Sequence, residues 1–255
     1  MTSFGLQIGV DDQAVNGSCL VVSCEHGGRE VPAAYAAFFT GHEGLLESHR
    51  GWDAGAFQLG RQIAEAFAAP FYASMTTRLL VDLNRSMGHR HLFSEVTRGL
   101  ARLQRQEIVT RHYRPHRDAV ECEIARHIAE GEQVIHIASH SFTPTLNGVV
   151  RRADVAWLYD PRRVRESALA QRWQAELGQR LPALRLRRNY PYQGRSDGLA
   201  SLLRKRHPDN AYIGVELEVN QRFVQRGGTA WTTLRRFLVE SLAAALCIER
   251  EHRSV

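Results

Sequence analysis

The 255-residue sequence predicts an α/β fold, with a mostly parallel mixed sheet flanked by helices, in a single domain over residues 1–255. The main observation is that short apolar runs, bounded by polar residues or by glycine and proline, alternate with longer segments of helical period. The length also suits one α/β domain with a substantial core. The sequence contains no linker, repeat or low-complexity tract, so we expect an ordered chain.

Strands are predicted at the short apolar runs, which have the lengths of ordinary strands. Because polar or turn-forming residues bound each run, the chain is expected to leave the sheet there. The predicted strands are Cys19 to Ser23, Phe71 to Ser74, Leu79 to Asp82, Val134 to Ser139, Val155 to Tyr159 and Tyr212 to Glu218.

Helices are predicted where apolar residues recur three or four positions apart and so form one buried face. The carboxy-terminal helix is the clearest, because Gly227-Gly228-Thr229 supplies a break and a cap before it. Pro115 is expected in the first turn of the helix from Asp118 to Glu130, after a segment that is helical on its own. The predicted faces are Ala56, Leu59, Ile63 and Phe67; Val120, Ile124 and Ile128; Leu169, Trp173, Leu177 and Leu181; and Trp231, Leu234, Leu238, Leu242 and Leu246.

The net charge of +6 comes from arginine, since Lys205 is the only lysine among 33 basic residues. Arginine binds carboxylates and phosphates through two parallel hydrogen bonds, so the excess suits an anionic substrate or a nucleic acid. Coding bias and solvated helix faces are the simpler explanation. The basic clusters are scattered and form no continuous stripe, which argues against a nucleic-acid partner and leaves it as an alternative.

The sequence also bears on the compartment. Met1 to Val15 contains Asp11 and Asp12 and lacks the basic and apolar regions of a secretory signal. No apolar run approaches the length of roughly 18 residues that suggests a membrane span. The four cysteines form neither a C-x-x-C pair nor a dense framework. A reduced, cytoplasmic protein without a membrane partner is therefore predicted.

Two histidines are predicted at the carboxyl ends of strands, where open α/β sheets have their ligand-binding and catalytic residues. His26 follows the first strand and precedes two glycines, which permit a sharp turn and close backbone approach to whatever the imidazole holds. His140 lies at an equivalent place, between two serines that could hold its second ring nitrogen or the neighbouring backbone. Two such histidines and a carboxylate would match an open catalytic zinc site with one position left for water.

The third zinc ligand stays open between two residues. Glu30 lies four residues after His26, and Asp53 stands just before a predicted helix, where capping that helix is the competing role. Glu25 ranks below both, because it alternates away from His26 if the strand persists.

Other polar groups suggest a general base and an anion clamp. Glu216 and Glu218 share one face of an apolar strand, and either could take a proton from a zinc-bound water unless both form structural ion pairs. Arg85 could hold a substrate carboxylate while Asn84 positions it, or Arg85 could merely pair with Asp82.

Two nucleophile readings compete with the zinc site. Cys24 and His26 would have to act as nucleophile and base, yet such pairs normally converge from separate elements. Ser139 lacks the surrounding G-x-S-x-G motif of a nucleophile elbow.

Six short motifs follow one another in a specific order along the chain. They are the Cys-x-His-Gly-Gly turn at 24–28, the HRGWDAG segment at 49–55, the stretch at 78–85 ending in DLNR, the SHSFTP segment at 139–144, NYPY at 189–192 with Asp197-Gly198, and EVNQ at 218–221. On these motifs the sequence, from about Leu20 to Val224, resembles the N-formylglutamate amidohydrolase family, enzymes related in fold to zinc carboxypeptidases and aspartoacylases. Two departures from the best-known members are the His-Gly-Gly turn and the presence of Glu30, which keeps a carboxypeptidase-like ligand choice open.

The resemblance implies a phosphorylase/hydrolase-like, zinc exopeptidase-like fold with one divalent metal, expected to be zinc. It favours His26, Asp53 and His140 as ligands, Glu218 rather than Glu216 as the catalytic carboxylate, and Arg85 on a substrate carboxylate. In the mechanism it suggests, zinc polarises the scissile carbonyl and activates water, and Glu218 passes the proton to the leaving amine. Arg195 is expected to help Arg85 orient the substrate.

The implied substrate is a small N-acyl acidic amino acid, and N-formyl-L-glutamate would yield formate and glutamate. A zinc peptidase acting on another amide and a basic nucleic-acid-binding protein without catalysis are the alternatives. The sequence predicts neither the acyl group nor the oligomeric state.

Overall fold

A six-stranded mixed sheet and a two-stranded ribbon organise the chain in the computed structural model, which describes residues 18–252. The sheet has the order β2-β1-β3-β8-β6-β7. Strands β1, β2, β3 and β8 are parallel, β6 runs antiparallel to β8, and β7 is parallel to β6. The predicted α/β class with a mostly parallel mixed sheet is confirmed. The strands are β1 (Ser18–Cys24), β2 (Phe71–Ala73), β3 (Gln133–Phe142), β4 (Thr145–Leu146), β5 (Val149–Val150), β6 (Val155–Leu158), β7 (Leu186–Arg188) and β8 (Tyr212–Asn220).

Helices cover both faces of the sheet. Pro115 is the second residue of α4, as predicted, and a π-helical turn at Val109–Tyr113 joins α4 to the preceding helix. The predicted carboxy-terminal helix is present, but it begins at Gly228, so Gly228 and Thr229 lie in its first turn and not before it. The α-helices are α1 (Glu43–Glu47), α2 (Ala56–Ala66), α3 (Arg102–Ile108), α4 (Arg114–Ala129), α5 (Val164–Arg180), α6 (Leu199–Arg206), α7 (Arg222–Arg226) and α8 (Gly228–His252).

The alternation of side chains along the strands divides the core into two layers. In β1, Val22 packs in the layer that also contains apolar residues of α2, α5 and α8, whereas Val21 packs in the layer with α4 and α6. Trp173 of α5 is fully buried, and its indole N–H donates to the carbonyl oxygen of Leu238 in α8. The central strands are therefore covered on both faces, which explains why they read as continuous apolar runs.

The strand predicted at Leu79 to Asp82 is wrong. The segment is a turn followed by irregular chain, and its Leu79 and Leu80 carbonyl oxygens accept hydrogen bonds from the Thr97 hydroxyl. Its leucines are buried in a separate apolar cluster with Tyr35 and Phe39. The run is apolar because it is buried, while side-chain hydroxyls replace the hydrogen bonds that a neighbouring strand would supply.

Two central strands are longer than predicted. Strand β3 continues to Phe142 and β8 to Asn220, so His140 and Glu218 lie within strands. The short β7 and the β4–β5 ribbon were not predicted, because two or three residues carry too little periodicity to detect.

Some predictions concern residues outside the described range. The reading of Met1 to Val15 is one of them, and the single domain over residues 1–255 stays a prediction. Within residues 18–252, the structure contains no helix that is both long and apolar enough to span a bilayer.

Candidate metal centre

The candidate centre lies at the carboxyl ends of β1, β3 and β8. His26 comes two residues after the end of β1, and His140 lies near the end of β3. In the parallel pairing of β3 with β8, His140 is directly opposite Glu218. All three side chains are at least nine-tenths buried. The sheet thus brings together residues that lie up to 192 positions apart in the sequence.

Asp53 is fixed beside the histidines by the chain that leads into α2. Its backbone N–H donates to the His26 carbonyl oxygen at 2.9 Å, and its own carbonyl oxygen accepts from the N–H of Ala56. The residue at the helix cap is Gly55, at φ 82°, and no side chain caps the helix. The helix-capping role considered for Asp53 is therefore wrong, and its carboxylate is directed at the histidines.

His26, Asp53 and His140 form a compact group of potential ligands. One Asp53 oxygen, Oδ2, lies 3.4 Å from His26 Nδ1 and 3.0 Å from His140 Nδ1. Each residue offers one atom such that the three atoms lie within 4.8 Å of one another. Glu30 is exposed and bridges to Thr76 through its backbone. Of the two residues left open as third ligand, the structure brings only Asp53 to this centre.

The second nitrogen of each imidazole faces a buried carboxylate. His26 Nε2 is 2.7 Å from Asp82 Oδ1, and His140 Nε2 is 3.1 Å from Glu25 Oε2. Glu25 thus has the orienting role that was expected of the serines beside His140. Those two hydroxyls instead donate to the carbonyl oxygens of Ala56 and Ala54.

This donor set fits a divalent cation. A histidine that binds a metal through one nitrogen commonly donates its other N–H to a carboxylate, which fixes the tautomer and orients the ring. His26 has that hydrogen bond with Asp82, and the second nitrogen of His140 has the Glu25 carboxylate 3.1 Å away, while Nδ1 of each ring is turned toward Asp53. Two imidazole nitrogens and one carboxylate oxygen are also the ligand types of open catalytic zinc sites.

The electrostatics of the centre favour a positive charge between these residues. Burial by itself would lower the pKa of His140, but hydrogen bonds to Asp53 and Glu25 raise it well above its ordinary value. Burial would likewise raise the pKa of Asp53, but His26, His140 and Arg78 together lower it well below its usual range. A divalent cation would satisfy the same carboxylates.

Arg78 is a polar residue of the site that the sequence did not single out. One guanidinium nitrogen is 2.7 Å from Asp82 Oδ2 and another is 3.4 Å from Asp53 Oδ1. It therefore ties together the two carboxylates on either side of His26. Its spacing of four residues before Asp82 would predict a helical ion pair, but the segment is not a helix, so the sequence carried no usable signal.

Glu216 and Glu218 point into the same region and are both buried. Burial raises the pKa of Glu218 to about 8, with added repulsion from Asp53 and Glu216, against the lowering effect of His140. Among the described residues Glu218 Oε2 has no hydrogen-bond partner. Burial also raises the pKa of Glu216, against the lowering effect of His140 and Arg204.

Arg85 and Asn84 both line the pocket above the centre. One Arg85 nitrogen donates to the Asp197 carbonyl oxygen at 2.7 Å, whereas its Nε has no hydrogen-bond partner among residues 18–252. Asn84 Oδ1 accepts from the N–H of Leu199, and its amide nitrogen is 3.5 Å from His140 Nε2. Arg85 does form a long ion pair with Asp82, at 4.0 Å, but Asp82 is buried and its closer partners are His26 and Arg78, so this is not a surface pair.

Arg195 does not join this group. It is exposed and lines a separate cavity with Arg162, Arg163 and Lys205. Its neighbours Ser196 and Asp197 do face the candidate pocket, so the chain turns its side chain away. Alternation of side chains in a loop of unknown conformation was not predictable from the sequence.

The pocket has a volume of about 190 Å³. A space of this size suits a small molecule. Charged and polar groups dominate its lining, including His49, Arg78, Thr143, Tyr192, Gln193 and Asp197.

The nucleophile alternatives find no support at this site. Burial and the charges of Glu25 and Asp53 raise the pKa of Cys24 well above its usual value, so the thiolate form is disfavoured. The Ser139 hydroxyl donates to the Ala56 carbonyl oxygen, and no base faces it among its contacts in the described chain.

Glycine after His26 is also required by packing. A Cβ on Gly28 would lie 2.3 Å from the Met75 carbonyl oxygen, so the backbone approaches this closely only without a side chain.

Comparison with known proteins gives the family. A model of the N-formylglutamate amidohydrolase family matches residues 18–224. A gene product of Agrobacterium tumefaciens has 26% sequence identity and a TM-score of 0.77, and the match covers 91% of each chain. An N-formylglutamate amidohydrolase of Ralstonia eutropha shares the fold at 18% identity and a TM-score of 0.67, over 91% of this chain and 94% of that one. Among curated proteins, no sequence matches significantly. The chain belongs to the N-formylglutamate amidohydrolase family and is a hydrolase acting on amide bonds.

Proposed function

We propose that this protein is a zinc-dependent amidohydrolase that cleaves N-formyl-L-glutamate, or a closely related N-acyl acidic amino acid, into a carboxylic acid and a free amino acid. The observation that carries the proposal is the group of His26, Asp53 and His140, whose imidazoles each present Nδ1 to Asp53 and Nε2 to another carboxylate. Family membership supports the reaction type, and the small, polar pocket supports a small charged substrate.

In this proposal His26, Asp53 and His140 hold one zinc ion. When bound, zinc supplies Lewis-acid polarisation of the scissile carbonyl and lowers the pKa of water at the site. Asp82 and Glu25 orient the two imidazoles, since Asp82 Oδ1 hydrogen-bonds to His26 Nε2 and Glu25 Oε2 lies 3.1 Å from His140 Nε2.

Glu218 is the general base. Its Oε2 is free of other hydrogen bonds among the described residues, and it stands across from His140 on the neighbouring strand. It takes a proton from the attacking water and delivers it to the amide nitrogen as the C–N bond breaks. Because a positive charge at the centre lowers the pKa of a nearby carboxyl, Glu218 can be ionised at neutral pH when zinc is bound.

Arg85 binds a carboxylate of the substrate. Its guanidinium lines the pocket, where its charge attracts an anion, while its contact with Asp197 fixes the side chain. Asn84, already fixed by Leu199, positions the substrate next to His140. We do not include Arg195, because its side chain faces another cavity.

The compartment proposed for this activity is the cytoplasm. All four cysteines have free thiols, as expected of a protein in a reducing compartment.

The test is release of the acyl group by metal-depleted and zinc-restored protein. The substrates are formyl, acetyl and succinyl derivatives of glutamate, aspartate and glutamine, together with a short peptide for the alternative peptidase. We expect zinc to restore activity on acidic derivatives at one equivalent, and His140→Ala to lose both the metal and the activity. Less than about one-tenth equivalent of bound zinc, or activity on the peptide alone, would refute the proposal.

A further inference from the structure

A second group of metal-binding side chains lies at the opposite end of the parallel strands, where β1 and β3 begin. Cys19 is the second residue of β1, His127 is in the last turn of α4, and Glu132 immediately precedes β3. Each offers one atom such that the three atoms lie within 4.8 Å of one another. At about 3.3 Å per strand residue, Cys19 is roughly 20 Å from His26, so this group is separate from the amidohydrolase site.

The contacts within this group involve both ring nitrogens of His127, so an ion bound at Nε2 beside Cys19 requires the Glu132 carboxylate to turn from Nδ1 toward it. Cys19 Sγ is 3.1 Å from His127 Nε2, while His127 Nδ1 hydrogen-bonds to Glu132. Glu123 Oε1 is also 3.1 Å from His127 Nε2. The His127 side chain is only 12% exposed, so its ring is held in place between these partners. One thiol, one imidazole and two carboxylates therefore meet beside the first residues of β1.

Such a group could act as a nucleophile with its base or as a cation site, and the local charge decides between them. Two carboxylates, Glu132 and Glu123, contact the imidazole that faces Cys19, and Arg126 is the one guanidinium among the described residues that contacts the same ring. A reactive cysteine needs a positive environment that favours the thiolate. The negative environment here disfavours a free thiolate and attracts a cation, which can then displace the thiol proton.

We propose that Cys19, His127 and Glu132 form a second metal site, which takes a borderline-soft divalent cation of the Zn²⁺ type. Thiolate and imidazole ligands select such ions over Ca²⁺ and Mg²⁺, which prefer oxygen. The bound ion joins the start of β1, the end of α4 and the turn before β3. Its role is structural, because a ligand that binds the folded chain stabilises it.

In the metal-free chain, Arg126 contacts two of the side chains of this group and would have to move when a metal ion binds. One of its guanidinium nitrogens is 2.8 Å from His127 Nε2 and 2.8 Å from Glu123 Oε1. The side chain is about half exposed and can turn into solvent when a cation arrives. Its guanidinium thus occupies the region where the cation would sit, and removing it should strengthen metal binding.

The experiment is a titration of the metal-depleted, full-length protein with Co²⁺, followed by near-ultraviolet absorption. A thiolate bound to Co²⁺ gives a charge-transfer band, whereas the His26, Asp53 and His140 centre contains no thiol ligand. We expect two equivalents of bound Co²⁺ and a band that rises with one of them. Cys19→Ser should lose the band and keep one equivalent, and exposed Cys247→Ser is the matched control that should keep both.

Three further measurements make the outcome decisive. His127→Gln should also lose the band, and its circular dichroism reports whether the chain is still folded. Arg126→Ala should bind the second Co²⁺ at least tenfold more tightly. A hundredfold excess of Ca²⁺ should leave the band unchanged. The proposal is overturned if the wild-type protein shows no thiolate band, if the band survives in Cys19→Ser, or if Ca²⁺ removes it.

Discussion

Replacement of Glu218 by glutamine tests the proposed chemistry without changing the size of the side chain. The carboxylate is 5% exposed, and its Oε2 has no hydrogen-bond partner among residues 18–252. Loss of a general base typically slows turnover by about 10²–10⁴-fold, or roughly 3–5 kcal/mol in the activation free energy. Because Glu218 is not one of the proposed ligands, we expect zinc content to stay at one equivalent.

The same substitution should make the metal-free protein more stable at neutral pH. The pKa of Glu218 is about 8 in the folded chain and 4.5 as its ordinary value. For an acid with a raised pKa, stability is fully present below pH 4.5 and declines as the pH rises toward 8. At pH 7 the decline amounts to about 3 kcal/mol in the free energy of unfolding, since each pH unit contributes about 1.4 kcal/mol. Glutamine does not titrate and avoids this loss.

The assay combines steady-state kinetics of the zinc protein with urea denaturation of the metal-free protein at pH 4.5 and 7. The matched control is Glu216→Gln, on the same face of β8, which should lower turnover by less than about tenfold because Glu216 pairs with Ala138 in the strand register, whereas Glu218 lies opposite His140. Turnover of Glu218→Gln within threefold of wild type would eliminate Glu218 as the base. A stability difference between Glu218→Gln and wild type that is the same at both pH values would contradict the desolvated environment described for Glu218.

Three other results follow from the same structure. Arg85→Ala should raise KM for an acidic substrate by about 10- to 100-fold, the effect of losing a charge-assisted hydrogen bond, and change KM for a neutral amide analogue far less; equal effects would remove Arg85 from the binding role. Asp82→Asn should weaken zinc binding by about 10- to 100-fold in a chelator competition because His26 loses its orienting carboxylate, and unchanged affinity would contradict that role. Burial lowers the pKa of His136 to about 4, so its contribution to stability is present above pH 6.5 and is lost as the pH falls toward 4, by up to about 3 kcal/mol. Urea denaturation of wild type and His136→Gln should show a weaker pH dependence in the variant, and parallel curves would count against this assignment.

The candidate site shows where sequence reasoning stops. Spacing identified His26 and His140 as histidines at strand ends, and the family motifs favoured Asp53 over Glu30. The choice rests on direction in space, because Glu30 leaves the turn toward solvent while Asp53 is held to His26 by a backbone hydrogen bond. The role of Glu25 could not be predicted either. Glu25 is next to His26 in the sequence, but its carboxylate contacts His140.

The segment from Leu79 to Asp82 shows a second limit. Its apolar character correctly indicated burial, but burial alone does not distinguish a strand from a turn that packs into its own cluster. The hydroxyls of Ser94 and Thr97, 12 or more positions away, donate hydrogen bonds to its carbonyl oxygens. No local pattern reports that.

The sequence by itself determined the α/β class, the four main amphipathic helices and the central apolar strands, because those depend on periodicity along the chain. It also determined the identity of the chemical groups at the strand ends. Only the tertiary structure decided which of those groups meet. It directed Arg195 away from the pocket and brought in Arg78. It also placed Cys19, His127 and Glu132 together where β1 and β3 begin. The physical reason is that strand pairing and loop packing bring distant residues together, and the directions of their side chains depend on contacts that no local spacing encodes.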